Sequence, residues 1–219
     1  RNAAGITLKY MTFSNANTAE GDAVSGYNNT GSNAAVYAGT VNGLRLENVT
    51  LGGTMVQTGV SLNTVSNFHF INGTIGAAGT GTELHEGNIY AINTSGTCSI
   101  VNSSFSKPTG RAAYFRNNNT NLTLLTVDNS NFTEIPNGPA VLVEAVGNSV
   151  ASVKVTGNDF LKNQTTSVVA NAYGTAVVNA DIKDNTFDPT NAAISPHDVG
   201  VAVDLTSSDQ SDVNFNVLN

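Results

Sequence analysis

Hydrophobic and polar residues along this chain follow one pattern that returns eight times. Two apolar residues alternate with polar ones, a turn-forming residue comes two positions later, and a large apolar residue lies three positions beyond it. If the first apolar position is called s, the pattern occupies s, s+2, s+4 and s+7, as in Leu125, Val127, Asn129 and Phe132. The copies start at residues 6, 44, 68, 98, 125, 153, 180 and 211, and the last copy also permits another register. A unit of this length that recurs along a whole chain is typical of a solenoid.

Each copy predicts a short β-strand, because apolar and polar residues alternate and Val, Ile, Thr and Phe are common. A second strand follows in most copies, with the inward pairs Val60/Leu62, Ile89/Ala91, Ala113/Phe115, Val141/Val143, Val168/Ala170 and Val201/Val203. The sequence contains no helical segment that could cross over between equivalent strands, so the copies bury their apolar columns most simply by stacking in parallel. The sequence therefore predicts an all-β fold, a parallel β-helix of about 7–8 coils.

The s+4 and s+7 columns support this prediction. Asn, Gly and Asp tolerate the left-handed backbone conformation that a sharp bend needs, and they fill most of the s+4 column. Stacked Asn amides could also hydrogen-bond along the axis as an Asn ladder. The central s+4 residues are Asn48, Asn72, Asn102, Asn129, Gly157 and Asp184, and the s+7 column stacks Phe105, Phe132, Phe160 and Phe187.

The segment Val153–Phe160 with Ser167–Ala170 resembles the right-handed parallel β-helix repeat. Pectate lyases, polygalacturonases, phage tailspikes and large bacterial surface proteins of the adhesin type share that repeat. The resemblance covers nearly the whole chain except residues 14–43, which we interpret as an irregular insertion or capping loop. It implies a right-handed coil but no particular activity, because one fold hosts many functions.

Length and charge narrow the functional classes. The 219 residues suit a single domain, residues 1–219, and the chain begins at Arg1 without Met, so we expect a fragment of a longer protein. A net charge of −7 gives no electrostatic footprint for nucleic acid. The sequence has no apolar run of about 18 residues, so we expect no membrane insertion. Low Cys and abundant Asn, Thr and Ser favour an extracellular or cell-surface location, and the lone Cys98 is expected to be buried.

The outward columns of the first strand give no catalytic pattern. Opposite charges fall beside one another, Lys9 with Glu47 and Lys154 with Asp181, as in ordinary cross-strand pairs. The characteristic polygalacturonase motifs are absent from the sequence, and no converging set of calcium ligands or carboxylate pair emerges on the strands. We therefore predict no catalytic residues, no metal site and no cofactor.

Loops that follow the s+7 position form a second candidate region, because successive coils place such loops side by side. Glu83, His85 and Glu86 could supply metal ligands, but they lack the second His of a zinc helix motif, and surface ion pairing with Lys107 and Arg111 is favoured. The region carries Glu83, His85, Glu86, Lys107, Arg111, Glu134, Asp188, His197 and Asp198.

The outward face of the second strand carries Tyr90, Tyr114, Leu142 and Val169 on four neighbouring coils. We call these four residues the tyrosine stripe. An exposed stripe of this kind marks a contact surface, for self-association or a surface glycan. The alternative, which we favour, is that a loop from residues 14–43 or 188–199 covers the stripe and makes it a satellite core.

Two functional hypotheses follow. The first is a non-catalytic extracellular β-helix module that serves as a rigid stalk, an adhesive or a filament-forming segment of a bacterial surface protein. Its uncapped strand edges predict either end-to-end association or continuation into more repeats of the parent protein. The second is a polysaccharide lyase or hydrolase of the pectate lyase-like class, which would need carboxylates such as Glu83, Glu134 or Asp198 to meet over the first strand. An ice-binding face is disfavoured because the outward columns are chemically mixed.

Overall fold

The computed structural model describes residues 3–16, 33–53, 55, 57–81, 83, 85–188 and 202–218. Within them the chain is all-β and contains no helix. The strands, in chain order, are β1 (Ala3–Lys9), β2 (Thr12–Ser14), β3 (Ala34–Glu47), β4 (Thr50–Gly52), β5 (Thr58–Ser66), β6 (His69–Ile71), β7 (Thr74–Ile75), β8 (Gly87–Ile92), β9 (Thr97–Val101), β10 (Ser104–Ser106), β11 (Arg111–Asn118), β12 (Leu122–Asp128), β13 (Asn131–Thr133), β14 (Val141–Gly147), β15 (Val150–Thr156), β16 (Asp159–Leu161), β17 (Val168–Gly174), β18 (Val177–Lys183), β19 (Thr186–Asp188), β20 (Val203–Ser207) and β21 (Asp212–Leu218).

The strands form three parallel stacks, which confirms the predicted parallel β-solenoid. The first stack contains the s and s+2 positions and runs β1-β3-β6-β9-β12-β15-β18-β21. The second runs β3-β5-β8-β11-β14-β17-β20, and the third, of short strands, runs β2-β4-β7-β10-β13-β16-β19. The first two stacks join into one 14-stranded sheet, because β3 is 14 residues long and pairs with β5 along one half and with β1 and β6 along the other.

About five turns lie almost wholly within the described residues, fewer than the 7–8 coils predicted. Residues 17–32 and 189–201 lie outside the described part of the chain. Within the irregular segment predicted for residues 14–43, residues 34–43 belong instead to β3. There Val36 and Ala38 pair with Val60 and Leu62 and extend the second stack by one strand.

The s+4 column adopts the predicted left-handed turn. The φ angles at its seven described positions lie between 46° and 64°, which includes Tyr10 in the first copy and Asp184 in the last full one. Gly157 occupies this column at φ 64°, where a residue without Cβ is the least strained. Asn129 Nδ2 donates to Asn102 Oδ1 at 2.8 Å, so one rung of the predicted Asn ladder is present.

The core is one continuous apolar column between the three stacks. The s+7 phenyl rings are packed face to face: centroids are 4.9 Å apart for Phe105 and Phe132, 5.1 Å for Phe132 and Phe160, and 5.1 Å for Phe160 and Phe187. Cys98 is fully buried in the same core, as predicted, and burial raises the pKa of its thiol to about 11. Such a thiol is a small hydrophobic residue and not a reactive group.

A buried polar ladder at s+5, one residue after the turn, was not predicted. The backbone N–H of Ser103 donates to Ser130 Oγ at 3.1 Å, that of Ser130 to Asn158 Oδ1 at 2.9 Å, and that of Asn158 to Asn185 Oδ1 at 3.0 Å. Asn158 Nδ2 also donates to Asn185 Oδ1 at 2.9 Å. Each side chain satisfies the backbone of the preceding turn, so the corner can be buried without orphaned N–H groups.

Two predicted registers are corrected at the C-terminal end. Ala180 pairs with Phe215 and Ile182 with Val217, so the last copy starts at 215 and not at 211. Val168 pairs with Val203 and Ala170 with Leu205, so the last inward pair of the second stack is Val203/Leu205. In both segments apolar and polar residues alternate over several positions, so this alternation alone does not fix the strand register.

Candidate functional site

The tyrosine stripe is buried. Tyr90, Tyr114, Leu142 and Val169 are 1–6% exposed and form, with Ile92, a small apolar cluster separate from the main core. The stripe therefore forms a satellite core, as in the favoured alternative. The loop expected to cover it, from residues 14–43 or 188–199, lies mostly outside the described residues, and a binding role of the stripe stays a prediction. Strand pairing aligns Tyr90 with Tyr114, Tyr114 with Leu142, and Leu142 with Val169, as the repeat predicted.

Polar side chains border this cluster. The His85 ring meets Tyr90 edge-on with centroids 6.3 Å apart, and the Arg111 guanidinium lies 5.4 Å from the centre of the Tyr114 ring. The Tyr114 hydroxyl donates to Glu144 Oε2 at 2.5 Å. A cation over a ring and a charge-assisted hydrogen bond both stabilise a partly polar aromatic cluster. These contacts explain part of the burial of the two tyrosines.

Glu83 and Glu86 lie together in the segment that precedes β8. Glu86 is 2% exposed, and its carboxylate accepts the backbone N–H of Gly81. Burial first, and then the neighbouring Glu83 carboxyl, raise the pKa of Glu86 to about 6. The predicted ion pairing of these carboxylates with Lys107 and Arg111 is not what the structure records for them: Lys107 Nζ lies 3.4 Å from Glu134 Oε2, and the Arg111 guanidinium lies over Tyr114.

A polar groove of about 460 Å³ runs along the predicted loop wall. The backbones of Lys107, Glu134 and Lys162 occupy the same left-handed corner in three successive turns, with φ of 52°, 58° and 57°. The groove is lined by Lys107, Pro108, Thr109, Glu134, Pro136, Asn137, Lys162 and Gln164. Its volume is within the range of small-molecule sites, and its lining mixes hydrogen-bonding groups with two proline rings.

The outward column of the first stack is a row of cross-strand polar pairs. Lys9 Nζ lies 2.8 Å from Glu47 Oε1, as predicted, and Arg45 Nε lies 2.7 Å from Glu47 Oε2. Lys154 and Asp181 are neighbours in the register, but Asp181 forms its ion pair with Lys183, at 3.6 Å. Hydrogen bonds from Lys9 and then Arg45 hold the pKa of Glu47 below its ordinary value.

The carboxylates required by the enzymatic hypothesis do not converge in the described residues. Glu83 lies beside Glu86, whereas Glu134 lies two turns further along the solenoid. At ordinary strand spacing the backbones of these two turns are roughly 10 Å apart. Asp198 and His197 lie outside the described residues. Within the described residues no group of three or more His, Cys, Asp or Glu side chains has an arrangement that could hold a metal ion.

Comparisons with protein-family models, with curated proteins and with solved structures gave no match. The described residues also contain no helix that is long and apolar enough to cross a bilayer. The fold is therefore known from the structure itself, and function must be inferred from the surfaces described above.

Proposed function

We propose that this chain is a non-catalytic segment of an extracellular bacterial surface protein, where it acts as a rigid stalk, adhesive or filament-forming module. This proposal includes its kinship with right-handed parallel β-helix proteins of the pectate lyase-like fold. Support comes from the architecture: one apolar core runs unbroken through all turns, from β1 to β21, so that the turns behave as a single stiff body.

The end of the solenoid at β21 gives the strongest support for a filament-forming role. Phe215 and Val217 occupy the s and s+2 positions that are buried in every internal turn, yet they are 65% and 46% exposed. Among the described strands, only β18 pairs with β21 in the first stack, so the outer edge of β21 is where a further strand, from a second copy or from more repeats of a longer chain, would pair. An apolar row beside an open strand edge is a template for another strand.

The occupant we assign to this end is a second copy of the chain, in head-to-tail contact. The opposite end presents β1 and the exposed Tyr10 and Met11, 77% and 40% exposed. Stacking β1 of one copy on β21 of the next would continue the parallel stack with its own spacing. Because such a contact joins two different surfaces, it propagates into a filament.

Sedimentation velocity over a concentration series tests this assignment. The wild-type chain is expected to form larger species as concentration rises, and the Phe215→Asp/Val217→Asp double variant is expected to remain monomeric. Val150→Asp is the matched control, since Val150 is also 40% exposed but lies on the flank, in the column where Asp212 occurs naturally. A wild-type monomer at every concentration, or equal assembly of all three proteins, would contradict head-to-tail association.

The adhesive form of the proposal uses the polar groove lined by Lys107, Glu134 and Lys162, because the tyrosine stripe is buried. Its hydrogen-bonding groups and proline rings suit a surface glycan. Glycan-array binding that Lys162→Ala weakens and Lys154→Ala leaves unchanged would support this role. Lys154 is a suitable control because it lies in β15 on the outward face of the first stack, away from the groove.

A further inference from the structure

Glu83 and Glu86 place two carboxyl groups against the same glycine. A Cβ built on Gly81 would lie 2.3 Å from Glu83 Oε2 and 3.0 Å from Glu86 Oε2, so both oxygen atoms border the space that Gly81 leaves open. The neighbouring Glu83 carboxyl favours the protonated form of Glu86. A hydrogen bond between two carboxyl groups requires one proton, since two carboxylates offer only acceptors.

Glu86 Oε1 and Gln57 Oε1 are buried oxygen atoms without a hydrogen-bond partner, and both residues are 2% exposed. Asn88 Oδ1 and Arg111 Nε are also buried without a partner. Gln57 and Glu86 are neighbours in adjacent turns, because Thr58 pairs with Gly87 and the Gly87 N–H donates to the Gln57 carbonyl at 3.1 Å. A proton on Glu86 neutralises its buried carboxyl and so lowers the cost of burying it.

The charged groups around the pair do little to stabilise an anion there. Arg111 is the nearest cation on the next turn, and its backbone N–H reaches the Glu86 carbonyl at 3.4 Å, but its guanidinium lies over the Tyr114 ring. His85, beside Glu86 in the chain, is 4% exposed with its ring against Tyr90. The N–H groups of Gly81 and Thr80 favour the ionised form of Glu86, and burial outweighs them.

We propose that Glu83 and Glu86 form a proton-binding pair that makes the packing of His85 against the tyrosine stripe sensitive to pH. With one proton on the pair, the carboxyl groups hold each other and His85 stays against Tyr90. When Glu86 also ionises, its buried carboxylate lies beside the carboxylate of the exposed Glu83, the two like charges repel, and the structure around Tyr90 loosens. A mildly acidic surrounding therefore keeps the stripe covered, and a neutral one exposes it more often.

The direction follows from linkage. The pKa of Glu86 is raised in the folded protein to about 6, from an ordinary value of 4.5. Between these values the folded state binds more protons than the opened state, so the contribution of Glu86 to stability falls as pH rises from 4.5 through 6. Opening of the segment around Tyr90 should become roughly tenfold more frequent between about pH 5 and 7.

Hydrogen exchange of peptides that cover residues 85–92 tests the pair, at about pH 5, 6 and 7 and corrected for intrinsic exchange rates. Wild-type protection is expected to fall with pH. Glu86→Gln mimics the protonated carboxyl, so its protection is expected to fall less with pH. In Glu83→Gln the loss of protection, now governed by Glu86 alone, should occur at lower pH than in the wild type. His85 is present in all three proteins, so the difference from wild type isolates the carboxyl pair.

Glu134→Gln is the control, because Glu134 is an exposed carboxylate paired with Lys107. It should follow wild type in peptides 85–92. Identical pH profiles for wild type, Glu86→Gln and Glu83→Gln would overturn the proposal. Protection that calcium chloride restores at neutral pH in the wild type, and not in Glu86→Gln, would also overturn it, since the pair would then be a cation site.

Discussion

The s+5 ladder makes a sharp prediction about Asn158. This side chain is fully buried, accepts the Ser130 N–H at 2.9 Å, and donates to the Val127 carbonyl at 3.0 Å. Asn158→Ala removes all of these bonds and leaves the Ser130 N–H buried without a partner. One orphaned buried donor costs about 1–3 kcal/mol, and with the lost amide donor we expect a destabilisation of about 2–4 kcal/mol.

The assay is equilibrium unfolding in urea followed by circular dichroism, with midpoints compared across variants. Asn129→Gly is the matched control, since Asn129 lies in the left-handed s+4 column where Gly157 already occurs, and its side chain bonds only outward to Asn102. That change should cost within about 1 kcal/mol. Asn158→Ser should be intermediate, because Ser130 fills the same column and accepts the Ser103 N–H.

A loss of unfolding free energy in Asn158→Ala no larger than that in Asn129→Gly would contradict a stabilising role of the s+5 ladder. In that case the ladder would add nothing to the stability of the corner beyond ordinary surface hydrogen bonds. An Asn158→Ser variant as unstable as Asn158→Ala would also contradict a stabilising ladder. Serine is the native residue of this column in two turns, so its hydroxyl should accept the backbone N–H and recover part of the lost stability.

Three further predictions follow from the core and the surface pairs. Phe132→Ala removes the middle ring of the stacked phenyl column and should destabilise the chain by about 3–5 kcal/mol in urea unfolding, with Phe132→Leu costing clearly less. Burial raises the pKa of Cys98 to about 11, so a thiol reagent at neutral pH should label it only after unfolding; fast labelling of the native chain would contradict its burial. Lys9 and Arg45 lower the pKa of Glu47, so the melting-temperature advantage of wild type over Glu47→Gln should be present at neutral pH and shrink progressively as the pH falls below the ordinary value of 4.5; an unchanged advantage in acid would contradict the pairing.

The predictable parts of the fold are those in which one residue type recurs at one spacing. The turn column and the phenyl stack could be located from sequence because Asn and Phe repeat there and each has a specific physical role. The s+5 ladder was missed because Ser103, Ser130 and Asn158 beside a turn look like ordinary turn residues. The s+5 ladder can be recognised in the sequence as a column of small polar residues, Ser or Asn, that lies between an apolar strand and the apolar s+7 position.

The functional surfaces could be predicted only in part. Strand pairing put Tyr90 and Tyr114 side by side, but periodicity says nothing about what covers an outward face. The sequence indicates Glu83 and Glu86 as possible ligands, whereas the burial of Glu86 depends on contacts between adjacent turns, with Gln57 on one side and Arg111 on the other. Contacts between residues about 25 positions apart in sequence are set by the coil length of each turn, which varies here.

The most direct test of the account is electron microscopy of the concentrated chain, with the Phe215→Asp/Val217→Asp variant beside it. Head-to-tail association predicts that the wild type forms rods of one solenoid's width that lengthen with concentration, and that the variant remains as single short particles. Particles of constant length at every concentration, or sheets formed by lateral association, would contradict a module that acts through its open ends.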